Sequence, residues 1–265
     1  MKPLMPKDQR RLVLLVEDNP VNQAVGVAIL AKLGYGADVV GNGREAVEAV
    51  VLGDYGAVLM DCQLPVLDGY QATAEIRRRE GNERHTPIIA MTAAALPENR
   101  ERCLAAGMDD YIAKPVLVGD VQSVLSRWLG GEARGAQTSA SADPVESAGG
   151  VLDPDRLGAL GQLDSAGNGS ALLGRLVDCF LTSASADLAG LHASVQRGDT
   201  ATMTDLAHRL KGAAASLGSA SLVDLCQELE ALGSADDLTP VGELLCRLEE
   251  ELGRVTSALD VLSRR

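Results

Sequence analysis

The sequence predicts an α/β domain with a doubly wound, five-stranded parallel sheet, followed by an all-α helical-bundle domain. Residues 12–129 alternate short apolar runs with amphipathic stretches, which is typical of a parallel sheet covered by helices on both faces. From residue 151 onward every strong hydrophobic pattern has the helical period. Residues 130–150 are rich in Gly, Ala and Ser without any hydrophobic period, which predicts a flexible linker. The predicted domains are therefore 1–129 and 151–265.

The sequence also marks where the individual elements begin and end. The predicted strands are the apolar runs 12–16, 37–40, 57–60, 88–91 and 111–113. The helical part is expected to hold one short helix followed by four longer ones. Its start signals are Asp153 with Pro154, Asp199, Ser219, and Thr239 with Pro240, and its stop signals are Gly198, Gly218 and Gly233.

Composition narrows the classes of function. Of the 265 residues, 46% are hydrophobic but only 2% are aromatic, which favours cores packed from aliphatic side chains. A formal net charge of −13 disfavours nucleic acid and anionic membrane surfaces as partners, because both are negatively charged. The five cysteines form no C-x-x-C pair and are interpreted as reduced thiols. The first apolar run is too short for a signal peptide or a membrane span, so we expect a cytoplasmic location without direct membrane contact.

Polar side chains of related chemistry stand at the ends of the predicted strands. Doubly wound sheets bind their ligands beyond the carboxyl ends of the strands, so these positions matter most. The residues found there are Glu17, Asp18, Asp61, Thr92 and Lys114. Three carboxylates brought together repel one another unless a divalent cation lies among them, and oxygen ligands of this kind suit Mg²⁺.

This set of side chains fits phosphoryl transfer. The reaction needs an in-line nucleophile, a metal that neutralises the phosphoryl oxygens, and fixed donors around them. Asp61 supplies the nucleophile, and Thr92 and Lys114 supply the donors. Each residue taken alone is as well explained as a solvated side chain at a strand end. Suitable residue types at four of the five strand ends favour a site.

Four segments carry a resemblance to a known family: L-V-E-D-N-P-V-N, V-L-M-D-C-Q-L-P-V-L-D-G, I-I-A-M-T-A and Y-I-A-K-P. They resemble the receiver domain of bacterial two-component response regulators, over nearly all of residues 12–129. The resemblance implies the flavodoxin-like strand order 2-1-3-4-5. It also implies that Asp61 is the phosphoacceptor. The implied Mg²⁺ ligands are Glu17, Asp18, Asp61 and the backbone carbonyl of Gln63.

The same resemblance assigns roles to three further residues. Thr92 and Lys114 would contact the phosphoryl oxygens, and the Lys114–Pro115 peptide bond is expected to be cis. Tyr111 matches the family's aromatic switch position, where it would swing inward as Thr92 is drawn toward the phosphoryl group. An equally good interpretation is that Tyr111 is a strand aromatic packed at the rim of the sheet.

A second candidate site lies in the helix predicted for residues 199–217. Its apolar stripe consists of Met203, Leu206, Leu210, Ala213 and Leu217. His208 lies roughly 200° of rotation from Leu206 and Leu210, so we expect it to face solvent. Lys211, one turn on, can offset the charge of a phosphoryl group on His208. Gly212 costs about 1 kcal/mol of helix propensity relative to Ala and leaves a bare surface for close approach by a partner.

A lone exposed histidine is more often a solvated residue than a functional one. The segment A-H-R-L-K-G-A-A-A-S-L-G changes this balance, because it resembles the histidine-containing phosphotransfer (HPt) domain, a helical bundle with an exposed phosphoacceptor histidine. The similarity extends over most of residues 153–262. It implies that His208 is the phosphoacceptor of the helical part.

The leading hypothesis is a phosphorelay intermediate. A sensor histidine kinase phosphorylates Asp61, the group passes to His208, and then to an aspartate on the receiver domain of a downstream response regulator. Hybrid sensor kinases end in this domain order, so the chain is either a separate relay protein or the C-terminal part of such a kinase. No ATP-binding motif is visible, so the expected chemistry is Mg²⁺-dependent phosphotransfer with autodephosphorylation.

Three other functions compete with this one. The helical part could dock a kinase or regulator, with Asp61 phosphorylation acting as a switch and no transfer through His208. A metal-dependent hydrolase using Asp61 as nucleophile is disfavoured, because Gln63 stands where such enzymes place a second carboxylate. A transcription factor is disfavoured because no basic recognition helix follows the α/β part.

Overall fold

The computed structural model describes residues 11–82, 84–92, 97–130, 151–163, 169–235 and 238–263. The chain divides into two compact units, an α/β part and a helical part. The predicted linker, residues 130–150, lies outside the described residues except for Gly130. The boundaries predicted for the two domains stay a prediction.

The α/β part is built on a parallel sheet of five strands in the order β2-β1-β3-β4-β5. This confirms both the predicted fold class and the predicted strand order. The strands are β1 (Leu12–Val16), β2 (Gly36–Val40), β3 (Ala57–Asp61), β4 (Ile88–Thr92) and β5 (Asp110–Ala113). Strands β3 and β4 are buried along their whole length, because the sheet is covered on both faces.

Two strands continue one residue past the carboxyl end of the apolar runs that predicted them. Strand β3 includes Asp61, which pairs in register with Met91, and β4 includes Thr92, which pairs with Ala113. The parallel hydrogen-bond ladder therefore holds the backbone of both polar residues. Their side chains are placed by the sheet itself and not by a loop.

Five helices connect and flank the strands. They are α1 (Pro20–Lys32), α2 (Gly43–Leu52), α3 (Gly69–Glu80), α4 (Pro97–Ala105) and α5 (Val118–Leu129). Asp68 begins α3 by accepting a hydrogen bond from the backbone N–H of Gln71 at 2.7 Å. A Cβ on Gly69 would lie 2.0 Å from the backbone oxygen of Asp61, so only glycine lets the start of α3 approach the end of β3 this closely.

The helical part contains five helices within the residues described from 151 to 263. They are α6 (Pro154–Gly161), α7 (Gly169–Arg197), α8 (Thr200–Leu217), α9 (Ala220–Ser234) and α10 (Val241–Ser263). This is the short helix and four longer helices that the sequence predicted. None of the helices in the described ranges is both long and apolar enough to cross a membrane.

The predicted helix boundaries hold at most positions and fail at one. Asp153 and Asp199 are the N-caps of α6 and α8, and Gly218 ends α8 in the left-handed conformation. Gly233, predicted to end a helix, instead lies inside α9. A Cβ there would come within 2.1 Å of the Thr204 hydroxyl oxygen, so this glycine serves the close packing of α9 on α8.

Arg77 on α3 is the centre of a partly buried polar network in the α/β part. Its guanidinium donates to the carboxylates of Glu80 at 2.5 Å and Asp109 at 2.7 Å. It also donates to the backbone carbonyls of Thr86 and Gly107, both at 2.9 Å. Asp109 in turn accepts from the backbone N–H of Ile88, the first residue of β4. This side chain thus ties α3 to the segments that lead into β4 and β5.

We expect Arg77→Ala to lower the free energy of unfolding of the α/β part by about 2–4 kcal/mol. The substitution leaves two largely buried carboxylates without their cation and two carbonyls without their donor. Urea denaturation measures the loss, and fluorescence of Trp128, the single tryptophan of the chain, reports on the α/β part because it lies in α5.

The matched control is Arg79→Ala on the same helix. Arg79 pairs with Glu75 on a more exposed surface, and Glu75 keeps a second partner in Arg78. Its loss should change the stability by no more than about 0.5 kcal/mol. Equal effects of the two substitutions would contradict the structural role given to Arg77.

Candidate functional site

Three carboxylates meet at the carboxyl edge of the sheet. Glu17 and Asp18 directly follow β1, and Asp61 is the last residue of β3. Strands β1 and β3 are neighbours, with Val16 paired to Met60, so their ends lie side by side. One oxygen from each carboxylate lies within 4.8 Å of the others. Glu17 and Asp61 are buried.

Lys114 brings a positive charge into this cluster. Its ammonium donates to Glu17 Oε2 at 2.7 Å and to Asp61 Oδ2 at 2.6 Å. The residue directly follows β5, and the Lys114–Pro115 peptide bond is cis, as predicted. Asp61 also accepts a hydrogen bond at Oδ1 from the backbone N–H of Gln63 at 3.1 Å.

The electrostatics of the cluster are not balanced by Lys114 alone. Burial, aided by the neighbouring Glu17, outweighs the opposing effect of Lys114 and raises the pKa of Asp61 to about 7. Burial disfavours the ammonium of Lys114, but Asp61 and Glu17 outweigh burial and raise the pKa of Lys114. Lys114 therefore contacts two of the three carboxylates that meet at this edge of the sheet.

A hard divalent cation fits these residues. The donors are carboxylate oxygens, which Mg²⁺ prefers, and they are close enough together to share one ion. Burial is the main cause of the raised pKa of Asp61, and a cation beside this carboxylate would lower that pKa. The donor set therefore agrees with the Mg²⁺ site predicted from the sequence.

The other predicted residues of the α/β site lie around the cluster. Thr92 is buried at the end of β4, and its backbone carbonyl accepts from the N–H of Lys114 at 2.7 Å. Tyr111 in β5 is partly buried and packs against the hydrophobic core, an arrangement that both predicted roles allow. Gln63 has an exposed side chain. The ligand role of its backbone carbonyl stays a prediction.

The second candidate site lies on α8 and α9 of the helical part. His208 Nδ1 is 2.7 Å from Glu230 Oε1, and Lys211 donates to the other oxygen of the same carboxylate. Glu230 belongs to α9, so the two residues of α8 meet a partner from the neighbouring helix. Gly212 follows Lys211, one turn beyond His208.

The His208 side chain is less exposed to solvent than the sequence predicted. Only 21% of its side chain is exposed, and the Nδ1 side of the ring is occupied by Glu230. The prediction used only the angular positions of residues around the axis of α8. It did not include α9, which packs closely along α8. The predicted apolar stripe is otherwise buried, except that Leu206 is only partly so.

Sequence reasoning missed Glu230 altogether. The helix α9 also carries Asp224 and Glu228, and nothing in the spacing of these acids distinguishes the one that reaches His208. Missed as well was Asp187 of α7, a buried carboxylate whose Oδ1 accepts from Arg209, next to His208 in the chain. Both residues lie on helices other than α8, so only packing identifies them.

Comparison with known proteins identifies two matching families. The family model described as the response regulator receiver domain matches residues 13–126. The model described as the Hpt domain matches residues 175–258. The two matches follow one another in the order predicted from the sequence.

Curated relatives are histidine kinases of greater length. The sensor histidine kinase GacS of Pseudomonas protegens is 32% identical over 253 residues, covering 92% of this chain and 26% of that protein. The probable histidine kinase 1 of Oryza sativa subsp. indica is 38% identical over 154 residues, covering 47% of this chain and 16% of that protein. The chain thus spans well under a third of the length of either relative.

Among solved structures, a similar one is the receiver domain of sensor histidine kinase PA1611 from Pseudomonas aeruginosa, which has a magnesium ion coordinated in its active site cleft. It is 55% identical and covers 45% of this chain and 98% of that chain, with a TM-score of 0.43.

The raised pKa of Asp61 predicts how pH affects the metal-free protein. The folded state holds the Asp61 proton up to about pH 7, whereas the unfolded state releases it near 3.8. The folded state therefore binds more protons in between, and its stability falls as the pH rises through this window. Asp61→Asn should remove this loss. Its free energy of unfolding at pH 8 should therefore exceed that of the wild-type chain by at least about 1 kcal/mol.

Urea denaturation of both proteins in a metal chelator at pH 5, 6, 7 and 8 measures the effect. The difference between the two proteins isolates Asp61, since other titrating groups are common to both. A difference in the free energy of unfolding that does not grow between pH 5 and pH 8 would contradict the raised pKa of Asp61.

Proposed function

We propose that this chain, which carries a response regulator receiver domain followed by an Hpt domain, is a phosphorelay intermediate. It accepts a phosphoryl group on Asp61 from a sensor histidine kinase and passes it through His208 to the receiver domain of a downstream response regulator. The observation that carries the proposal is that one chain holds two potential nucleophiles. The Asp61 carboxylate is hydrogen-bonded to Lys114, and the His208 imidazole contacts the same carboxylate as Lys211.

The carboxylates of Glu17, Asp18 and Asp61, with the backbone carbonyl of Gln63, would hold Mg²⁺ in the receiver domain. When bound, the ion supplies positive charge that offsets the negative charge on the phosphoryl oxygens. The proposal draws support from the hard oxygen donors and from the uncompensated charge at Asp61.

Asp61 performs the first transfer. One of its carboxylate oxygens attacks the phosphorus of a phosphohistidine on the kinase, a P–O bond forms, and the P–N bond breaks with its electron pair returning to the imidazole nitrogen. Lys114 already contacts Asp61 Oδ2, so its ammonium is placed to bind the incoming phosphoryl oxygens. The buried hydroxyl of Thr92 supplies a further donor from the next strand.

His208 performs the second transfer. A nitrogen lone pair of its ring attacks the phosphorus of the aspartyl phosphate, and the P–O bond breaks with its electron pair returning to the carboxylate. The reverse of this step delivers the group to an aspartate of the downstream receiver. Lys211, one turn along α8, offsets the added negative charge, and Gly212 presents no side chain to an approaching partner.

The proposed domains are 1–129 and 151–265, joined by residues 130–150. The proposed partners are proteins, a histidine kinase before this chain in the relay and a receiver domain after it, since a net charge of −13 is unfavourable for nucleic acid. We place the chain in the cytoplasm, where both partners would reach it.

Two substitutions test the relay directly. The purified chain is incubated with Mg²⁺ and a phosphorylated histidine kinase, and acid-labile and acid-stable phosphate are then mapped separately. Asp61→Asn should abolish phosphate uptake, because the amide is not a nucleophile at this position. His208→Ala should retain the acyl phosphate on Asp61 but lose at least about 99% of delivery to a second receiver domain.

The same pair separates the relay from a docking module. Full delivery to the second receiver by His208→Ala would mean that the helical domain only docks partners. Acyl phosphate in residues 12–129 of Asp61→Asn would mean that another carboxylate is the nucleophile.

A further prediction separates metal binding from phosphoryl binding. Asp18→Ala should weaken Mg²⁺ affinity by roughly tenfold or more, because it removes a charged oxygen ligand. Lys114→Ala should preserve or improve the affinity, because its ammonium competes with the ion for Glu17 and Asp61. Isothermal titration calorimetry of both variants measures this, and a comparable loss of affinity in Lys114→Ala would refute the division of roles.

A further inference from the structure

We propose that Cys62 and Cys103 are a site of reversible oxidation, at which hydrogen peroxide joins the two thiols in a disulfide bond. The bond would fasten helix α4, which carries Cys103, to the end of strand β3, which Cys62 directly follows. The inference is independent of the proposed function, because neither a phosphoryl group nor a metal ion enters the reaction.

The two thiols already lie against each other in the core of the α/β part. Their sulfur atoms are 4.0 Å apart, although the two residues are separated by 41 positions in the chain. A disulfide bond is about 2 Å long, so the sulfurs must approach by about 2 Å, a movement that side-chain rotation and a small backbone shift can supply. The remaining cysteines, Cys179, Cys226 and Cys246, lie on three different helices of the helical part.

Cys103 is the thiol better suited to react first. A thiolate, and not a thiol, attacks a peroxide. The hydrogen bond from Cys62 is the largest cause that lowers the pKa of Cys103, to about 7, against the opposing effect of burial. Tyr70 and the charge of Arg102 act in the same direction. The guanidinium of Arg102 lies over the Tyr70 ring, 4.8 Å from its centroid, which keeps both groups close to the thiols.

The reaction consumes one peroxide for each disulfide. The Cys103 thiolate attacks one oxygen of hydrogen peroxide, an S–O bond forms, the O–O bond breaks, and hydroxide leaves, so that Cys103 becomes a sulfenic acid. The Cys62 sulfur then attacks the Cys103 sulfur, and the S–O bond breaks as the hydroxyl group leaves with the Cys62 proton as water. The two sulfurs are oxidised and the peroxide oxygens are reduced. A dithiol reductant reverses the modification by two thiol–disulfide exchanges and is itself oxidised.

Helix α4 is attached to the core through Cys103. Among the residues of this helix whose side chains the structure describes, 100–105, Cys103 alone is buried. It lies in the chain between the exposed residues Arg102 and Leu104 and belongs to the same hydrophobic cluster as Cys62. A helix held by so few buried side chains opens locally at low cost. Such opening gives a small oxidant access to a thiol that is buried in the closed state.

Cys62, in contrast, is held on both sides of its backbone. Its N–H donates to the carbonyl of Met91 on β4 at 3.1 Å, and its carbonyl accepts from the N–H of Gly69, the first residue of α3, also at 3.1 Å. The closing movement therefore belongs to α4. The disulfide would replace a loose contact of this helix with a covalent bond to the rigid sheet. Disulfides that form transiently in reducing compartments are usually catalytic or redox-sensing.

The test exposes the reduced full chain to stoichiometric hydrogen peroxide near neutral pH. The remaining thiols are blocked with an alkylating reagent in denaturant, and the peptides are mapped by mass spectrometry. Cys226 is the matched control within the chain, because it is also buried but burial raises its pKa to about 12. Cys246 is exposed and shows how an accessible thiol responds to the same oxidant.

We expect a disulfide between Cys62 and Cys103 as the main product, with Cys226 still reduced and the bond lost on treatment with dithiothreitol. Hydrogen–deuterium exchange of the backbone amides of residues 100–105 should slow by roughly tenfold or more in the oxidised chain, because the bond opposes local opening of α4. Cys62→Ala should stop the reaction at a Cys103 sulfenic acid, which dimedone traps.

The proposal is overturned if Cys246 is oxidised while Cys62 and Cys103 keep their free thiols, or if Cys226 enters disulfides as readily as they do. A Cys103 sulfinic acid formed without the disulfide overturns it as well. Unchanged amide exchange in residues 100–105 of the fully oxidised chain overturns the fastening of α4. These measurements use the wild-type chain, so the outcome does not depend on the folding of a variant.

Discussion

The ammonium of Lys114, shared by Glu17 and Asp61, is the contact on which the rest of the α/β part depends. Two buried carboxylates at the ends of adjacent strands repel each other, and burial opposes the ionisation of Asp61. Lys114 offsets some of this unfavourable energy and reaches the pair from the end of β5, past the intervening strand β4. The remaining imbalance appears as the raised pKa of Asp61. A site with balanced charge would not attract a cation electrostatically.

The fold supplies the rigidity that such a site needs. The strands β3 and β4 are buried, their hydrogen-bond ladder includes Asp61 and Thr92, and Gly69 lets α3 press against the backbone of Asp61. The polar residues are therefore held where close packing would otherwise favour apolar ones. Their unfavourable burial is offset by the aliphatic core beneath them.

The helical bundle uses the inverse arrangement. At the edge of the sheet a single ammonium lies between two carboxylates, whereas in the bundle a single carboxylate, that of Glu230, lies between a histidine and a lysine. In the proposed relay, each arrangement keeps a lysine near the residue that carries the phosphoryl group. Only the cluster at the edge of the sheet, among the described residues, brings together several carboxylates that suit a divalent cation.

The sequence by itself determined what depends on local pattern. Apolar runs located the five strands to within a residue, and Asp153 and Asp199 marked two helix starts. The ends of the predicted strands gave the cluster of Glu17, Asp18 and Asp61, and the resemblance gave the strand order. The tertiary structure alone decided the position of Gly233 inside α9, the partial burial of His208, and its contact with Glu230, 22 residues away. These three depend on how α8 packs against α9. Helical periodicity gives the direction in which a side chain points, but it carries no information about which residue of a neighbouring helix meets it.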